Sequence, residues 1–198
     1  MKITFPKFVV FVNSALPVGL LLWDLYRKQV GPNPIEFATR TTGMLTLVFL
    51  SLTVAITPLR RIFGINSIVK FRRMLGLFAF FYGSLHLLTY IWFDRGFNLA
   101  SAAGDVVQRP FILAGMTAFL LMVPLAITST NKMVKRLGGK GWARLHRLVY
   151  FAAIAGVVHF WMLVKSDIRL PLTFAFIVLF LLGYRLLVKY FPSDVPIS

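Results

Sequence analysis

Six long apolar runs divide this chain of 198 residues, and they restrict its fold more than any other feature. A helix needs about 20 apolar residues to cross the roughly 30 Å hydrocarbon core of a bilayer. Within lipid the backbone must satisfy its own hydrogen bonds, so these runs predict helices. The expected fold class is all-α, a polytopic membrane helical bundle with six transmembrane helices, at about 8–25, 43–59, 74–93, 111–128, 147–164 and 170–188.

Composition agrees with a membrane protein. Hydrophobic residues make up 58% of the chain, charged residues 14%, and the mean hydropathy is +0.78. The connections are too short for a sizeable soluble domain, so residues 1–198 are expected to form a single membrane domain. Because cysteine is absent, disulfides and thiolate ligands are excluded, and histidine is left as the strong nitrogen ligand for a metal.

The distribution of charge predicts the orientation in the membrane. Fifteen of the 22 Lys and Arg residues, Lys2 and Lys7 included, fall at the two termini and in the second and fourth connections. Five of the six acidic residues fall on the other side, and only Asp194 joins the basic side. The positive-inside rule therefore places both termini in the cytoplasm. The net charge of +16 is interpreted as this topology signal rather than as a nucleic-acid-binding surface.

The chain has three histidines, His86, His146 and His159, and all lie in or beside predicted spans. An imidazole is costly in lipid unless something binds it. His86 and His159 are each the thirteenth residue of a span that runs outward, so we expect them at one depth. His146 precedes His159 by 13 residues, a rise of about 20 Å, which puts it near the cytoplasmic boundary. On a straight helix it would also point about 140° away from His159.

Two neutral imidazoles at one depth on two helices are the usual axial ligands of a low-spin b-type haem. Another metal could use the same pair, but no carboxylate lies in the outer half of either span to complete its site. The histidines could instead be hydrogen-bonded without a ligand. The alternative class of protein is a small membrane transporter or a proton- or metal-conducting protein that uses these histidines.

Small residues approach two of the histidines along the helices. Gly76, Ala79 and Gly83 lead up to His86, and Gly156 lies in the span of His159. Such seams admit either a flat cofactor or a neighbouring helix, and ordinary helix packing explains the glycines equally well.

Four arginines flank the level of His146: Arg72, Arg73, Arg144 and Arg147. Guanidinium groups could clamp haem propionates or a flavin phosphate bidentately. Positive-inside anchoring explains the same residues without any ligand. The nearby Thr128, Ser129 and Thr130 could cap a helix end or touch a cofactor, and we interpret them as capping residues.

Several runs together resemble the MsrQ (YedZ) family, which lies within the ferric-reductase-like transmembrane group. They are Ile56–Arg60, Arg72–Leu77 followed by His86, Arg109–Phe111, Leu125–Asn131, and Trp142–Tyr150 followed by His159. The resemblance covers the chain from about Thr39 to Leu182. The family is the haem-binding membrane subunit of the bacterial methionine sulfoxide reductase system.

The resemblance implies an electron-transfer subunit in the bacterial inner membrane, with no substrate site of its own. Electrons would pass from the quinone pool or a cytoplasmic flavin reductase, through one or two haem b groups, to a periplasmic molybdopterin-containing reductase that repairs oxidised methionine in proteins. That partner would form a heterodimer with the chain and dock on segments 26–42, 94–110 and 165–169. FMN is implied by the family alone, because the sequence carries no signature for it.

Residue by residue, the resemblance makes His86 and His159 the axial pair of an outer haem. His146 corresponds to a ligand of an inner haem, whose second ligand is expected at the position of Arg72. Arginine stays protonated and is a poor ligand for iron. The inner site is therefore expected to hold a differently ligated haem, or else a quinone or flavin that His146 helps to orient.

Overall fold

The computed structural model describes residues 4–190, and within that range the chain is helical with no β-strand. This confirms the predicted all-α fold class. A 3₁₀ segment, Asn66–Phe71, leads into the third helix, and a π-helical turn, Tyr90–Asp94, follows it. Lys2 and Asp194, which entered the charge count, lie outside the described residues. The helices are α1 (Phe5–Tyr26), α2 (Pro34–Phe63), α3 (Arg72–Thr89), α4 (Leu99–Gln108), α5 (Pro110–Ile127), α6 (Asn131–Leu145), α7 (Leu148–Leu163) and α8 (Arg169–Tyr190).

The long helices coincide with the predicted spans. Five segments are long and apolar enough to cross a membrane: α1, α2, α3 with its two flanking turns, α5 and α8. The pair α6 and α7, which is bent by 42° at a short break, makes a sixth if the two helices form one span. The chain is therefore a multi-pass membrane protein. Within α6 the backbone is interrupted at Gly138, whose φ of 69° is a left-handed conformation that favours glycine.

Local capping explains where the helices differ from the prediction. Helix α2 starts at Pro34, well before the predicted span, because the Asn33 side chain accepts a hydrogen bond from the Glu36 amide at 3.1 Å. The short helices α4 and α6 lie in connections where the apolar runs predicted no element. Asn98 caps α4 and Thr130 caps α6, which confirms the capping interpretation for Thr130.

The core is formed mainly where α2 packs on α3 and α5 packs on α7, with α8 against α2 and α7. The small residues of the predicted seams serve this packing. A Cβ on Gly156 would come within 2.9 Å of Leu47 on α2, and one on Gly83 within 3.1 Å of Met122 on α5. In the residues described, these glycines contact neighbouring helices, as ordinary packing would have them do.

A buried arginine joins three helices. Pro58 has no N–H, so the Val54 carbonyl one turn earlier in α2 loses its helical donor. Arg185 of α8 donates to that carbonyl at 2.7 Å. Its other terminal nitrogen donates to the Tyr150 hydroxyl of α7, and its guanidinium carbon lies 4.8 Å from the centre of the Tyr150 ring. The charge thus replaces the hydrogen bond that proline removes.

Candidate metal centre

The fold brings His86 of α3 and His159 of α7 together in an edge-to-face arrangement. Their ring centroids are 6.0 Å apart, and the ring planes meet at 76°. Both side chains are half-buried inside the bundle. We call them the outer pair, after the predicted orientation. The equal depth that the spacing predicted is therefore accompanied by direct proximity.

Each ring of the outer pair is held by a backbone carbonyl. His86 Nδ1 lies 2.9 Å from the Thr39 oxygen, and His159 Nδ1 lies 2.6 Å from the Phe111 oxygen. Because a carbonyl only accepts, Nδ1 carries the proton and donates it in both cases. In the neutral ring, Nε2 then keeps its lone pair for a ligand. The protein has fixed the tautomer that a metal requires.

A glycine opens the space for each ring. Gly43 follows Thr39 by one helical turn, and Gly115 follows Phe111 by one turn. A Cβ on Gly43 would stand 3.0 Å from His86 Nδ1, and one on Gly115 would stand 2.8 Å from His159 Nδ1. Sequence reasoning missed both residues. The available signal was a glycine inside an apolar helix, which does not reveal which neighbour lies across from it.

The outer pair fits a metal that needs two protein ligands. Nitrogens that bind one metal ion at about 2 Å each lie about 4 Å apart, with the ring centres somewhat further out. The observed 6.0 Å between centroids has that size. Residues 4–190 contain no group of three or more His, Cys, Asp or Glu that could hold a metal ion by themselves. Haem iron has four ligands from the porphyrin and takes only axial ligands from the protein, so the pair suits it.

His146 lies apart from the outer pair, at the bend between α6 and α7. Its Nε2 is 3.1 Å from the Thr128 hydroxyl oxygen. That hydroxyl gives its one proton to the Pro124 carbonyl at 2.6 Å, so its oxygen accepts from Nε2–H of His146. Since α6 ends at Leu145 and α7 begins only at Leu148, the straight helix on which the angle of about 140° between His146 and His159 depends does not extend to His146.

Trp142 completes the surroundings of His146. The two rings are stacked with centroids 3.7 Å apart and planes at 26°. The indole N–H donates to the Thr128 carbonyl at 2.9 Å. Thr128 therefore accepts a hydrogen bond from His146 at its hydroxyl oxygen and another from Trp142 at its backbone carbonyl. The Ser129 hydroxyl donates to the Leu125 carbonyl at 2.7 Å. These bonds close the end of α5, as capping residues do.

Two of the predicted arginines act on His146 and the other two are its neighbours in sequence, and we call this region the inner level. The positive charges of Arg72 and Arg73 act on the His146 ring, and Arg73 donates to the Asn131 side chain at 2.8 Å. Arg144 and Arg147 are exposed. Sequence reasoning missed Arg185, which lies within the charge field of Arg72. It was counted only as a flanking charge at the end of a span.

Acidic partners are confined to the opposite end of the bundle. The four salt bridges within residues 4–190 use Glu36, Asp105 and Asp167, and each of these lies in or beside a predicted outer connection. In this part of the chain no carboxylate neutralises the inner arginines. Within the described residues the inner level is thus a concentration of positive charge without a carboxylate partner.

Taken together, the fold and the site define a class: a multi-pass helical membrane protein with two facing imidazoles in its core and a cationic inner level. Residues 42–157 match the family described as ferric reductase like transmembrane component. That stretch contains Gly43, Gly115, His86 and both α3 and α5, while Thr39 and His159 lie just outside it.

Curated relatives identify the family more closely. The protein-methionine-sulfoxide reductase heme-binding subunit MsrQ of Herminiimonas arsenicoxydans is 52% identical, over 93% of this chain and 85% of that protein. Its counterparts from Ralstonia nicotianae and Rhodospirillum rubrum are 51% and 49% identical, over 90% and 91% of this chain and 83% and 86% of those proteins. The chain therefore belongs to the MsrQ family.

Proposed function

We propose that this chain is the haem b electron-transfer subunit of a bacterial protein-methionine-sulfoxide reductase system, embedded in the inner membrane with both termini in the cytoplasm. One observation carries the proposal: two imidazoles face each other with Nδ1 committed to carbonyls and Nε2 available. The relatives are named as heme-binding subunits of that reductase system.

His86 and His159 would hold the haem as its two axial ligands. The Thr39 and Phe111 carbonyls fix both ring orientations and make Nε2 a stronger donor to a metal. A bound haem supplies reversible one-electron transfer. The chain supplies two ligands of fixed tautomer and the packed apolar surroundings that keep water from the site, for which no catalytic side chain is needed.

The inner level would receive the second redox partner. Arg72, Arg73, Arg144 and Arg147 present guanidinium groups to an anionic part of it, such as a haem propionate or a flavin phosphate. His146 offers the lone pair of Nδ1, and it offers Nε2 only if the Thr128 bond is given up. We assign this level to a second haem, a flavin such as FMN, or a quinone. Each would accept electrons near the cytoplasmic boundary.

We propose that electrons flow from the inner level to the outer pair. The donor would be the quinone pool or a cytoplasmic flavin reductase, acting at the inner level. The acceptor would be a periplasmic molybdopterin-containing reductase, forming a heterodimer with this chain. It would dock at the bundle end nearest the outer pair, on segments 26–42, 94–110 and 165–169. The shared reductase system in the relatives' names supports a partner of this kind.

A difference spectrum tests the proposal. The purified full chain is recorded in detergent as isolated and after dithionite reduction, and we expect the Soret and α bands of a b-type haem. Reoxidation by the partner reductase with methionine sulfoxide present would support the direction of flow. A wild-type protein that folds and shows no b-type bands, even when expressed with added haem precursor, would refute the haem proposal.

A further inference from the structure

We infer that Asp105 is the positioning residue of the outer pair. Its carboxylate connects the end of α3, which carries His86, to the start of α5, whose Phe111 carbonyl holds the His159 ring. The inference rests on the proposed function, in which His86 and His159 bind haem. Asp105 lies on α4, one of the short helices that the apolar runs did not predict.

The carboxylate of Asp105 is buried and fully engaged. The residue is only 7% exposed, although α4 lies in a connection between spans. One oxygen accepts from the Tyr90 hydroxyl and pairs with the Arg95 guanidinium. The other oxygen lies 3.3 Å from Arg109 Nε. Arg95 Nε also donates to the Tyr90 oxygen at 3.2 Å, which closes the network.

Tyr90 links the network to the His86 side of the site. It lies one helical turn after His86, in the π-helical turn that follows α3. The preceding Thr89 donates to the His86 carbonyl at 2.8 Å and contacts the Thr39 hydroxyl at 3.3 Å. Thr39 in turn supplies the carbonyl that holds His86 Nδ1. Holding Tyr90 in place therefore holds the helical turn from His86 to Tyr90 against Thr39, whose carbonyl orients the His86 ring.

Arg109 links the same network to the His159 side. Its amide donates to the Asp105 carbonyl at 2.8 Å, and its own carbonyl receives the Ile112 and Leu113 amides at the start of α5. Phe111, two residues on, supplies the carbonyl that holds His159 Nδ1. The carboxylate and the backbone of Asp105 thus fix where α5 begins.

A single carboxylate consequently sets the position of both carbonyls that orient the imidazoles. Its removal leaves Arg95 and Arg109 near each other without their shared counter-charge, and it leaves the half-buried phenol of Tyr90 without its acceptor. Because the two helix ends would then shift relative to each other, the angle between the imidazole rings and their distance from the iron would change. Both quantities affect the spectrum and potential of a bis-imidazole haem.

Asp105→Asn in the full-length holoprotein tests this inference. The amide keeps the size of the side chain and removes its charge. We expect shifted low-spin g values in the electron paramagnetic resonance spectrum, a shifted midpoint potential and less bound haem per chain. Asp105→Glu should restore part of each change. Tyr90→Phe, which keeps all charges, should shift the g values in the same direction by a smaller amount.

Asp167→Asn is the matched control. Asp167 is also paired with an arginine, Arg169, but the pair is exposed in the connection between α7 and α8. The Asp167→Asn change removes one negative charge from the same end of the bundle, as Asp105→Asn does, and it should leave the g values unchanged. If Asp105→Asn does not fold, Tyr90→Phe decides. Wild-type g values and potential in every folded Asp105 and Tyr90 variant would overturn the inference. A wild-type chain without haem would refute the proposed function, and this inference with it.

Discussion

The outer pair and the inner histidine differ in which ring nitrogen the protein engages. His86 and His159 donate from Nδ1 to backbone carbonyls, while His146 donates from Nε2 to the Thr128 hydroxyl. The outer rings lie against glycines, and the inner ring lies against the Trp142 indole. The outer site can thus ligate a metal without losing a hydrogen bond, whereas ligation by His146 Nε2 must displace one.

The two levels also differ in charge. At the outer end, the salt bridges of the described residues pair arginines with Glu36, Asp105 and Asp167. At the inner end the arginines face His146, Asn131, Tyr150 and a backbone carbonyl. A site surrounded by unneutralised guanidinium groups favours anionic ligands. The contrast supports the proposal of a fixed cofactor at the outer pair and of a negatively charged partner at the inner level.

The largest effect is expected from closing the space beside an outer ring. In Gly115→Ala the new methyl group would overlap the His159 ring, since its Cβ lies 2.8 Å from Nδ1. We expect loss of most low-spin haem from the purified chain, measured as pyridine haemochrome per protein. Gly43→Ala should cost less haem, because its Cβ would lie 3.0 Å from His86 Nδ1 and 3.1 Å from Cε1.

Gly19→Ala provides the control for both variants. Nothing lies within 4 Å of a Cβ at this position of α1, so the extra methyl group meets no neighbour. Its haem content should equal that of the wild type. If Gly115→Ala kept full haem with unchanged spectra, the proposed role of the glycine would be wrong.

An intermediate effect is expected at Arg185, and it concerns stability. Arg185→Leu leaves the Val54 carbonyl without a donor, which costs about 1–3 kcal/mol for a buried polar group. Pro58→Ala restores an N–H at the position where the helical bond to Val54 belongs. The double variant should therefore recover part of the midpoint temperature that Arg185→Leu loses. Equal midpoints for Arg185→Leu and the double variant would contradict this explanation of the buried charge.

The smallest effect is expected from Thr128→Val, which removes the acceptor of His146 Nε2 at nearly constant volume. The change also removes the hydrogen bond that the hydroxyl donates to the Pro124 carbonyl, and each of the two lost bonds costs about 1 kcal/mol. The outer haem signal should be unchanged, while any cofactor at the inner level should bind differently because Nε2 is released. A changed outer haem signal would show that the two levels are coupled, and it would contradict their description as separate sites.

The sequence predicts the bundle well, because long apolar runs and the absence of alternative backbone partners in lipid leave helices as the solution. Equal spacing from the span starts also places His86 and His159 at one depth. Their close approach could not be predicted, since it depends on how α2 and α5 present Thr39, Gly43, Phe111 and Gly115.

Other features escaped the sequence for similar reasons. The apolar runs did not predict α4. This helix contributes to the site through the contacts of one buried carboxylate, and no periodic pattern in the sequence indicates such contacts. The break before α7 consists of His146 and Arg147, which no helix-breaking residue marks, so the orientation of His146 depended on tertiary contacts with Thr128 and Trp142. The role of Arg185 required knowing which helix faces the carbonyl that Pro58 frees.

The most direct test is the low-spin electron paramagnetic resonance signal of bis-imidazole haem in three single variants of the purified protein. We expect that His86→Ala and His159→Ala each abolish the outer haem signal, because either change removes one of the two imidazoles that hold the iron. His146→Ala should retain it. Retention of the full signal in both His86→Ala and His159→Ala would contradict the claim that these two residues share one iron.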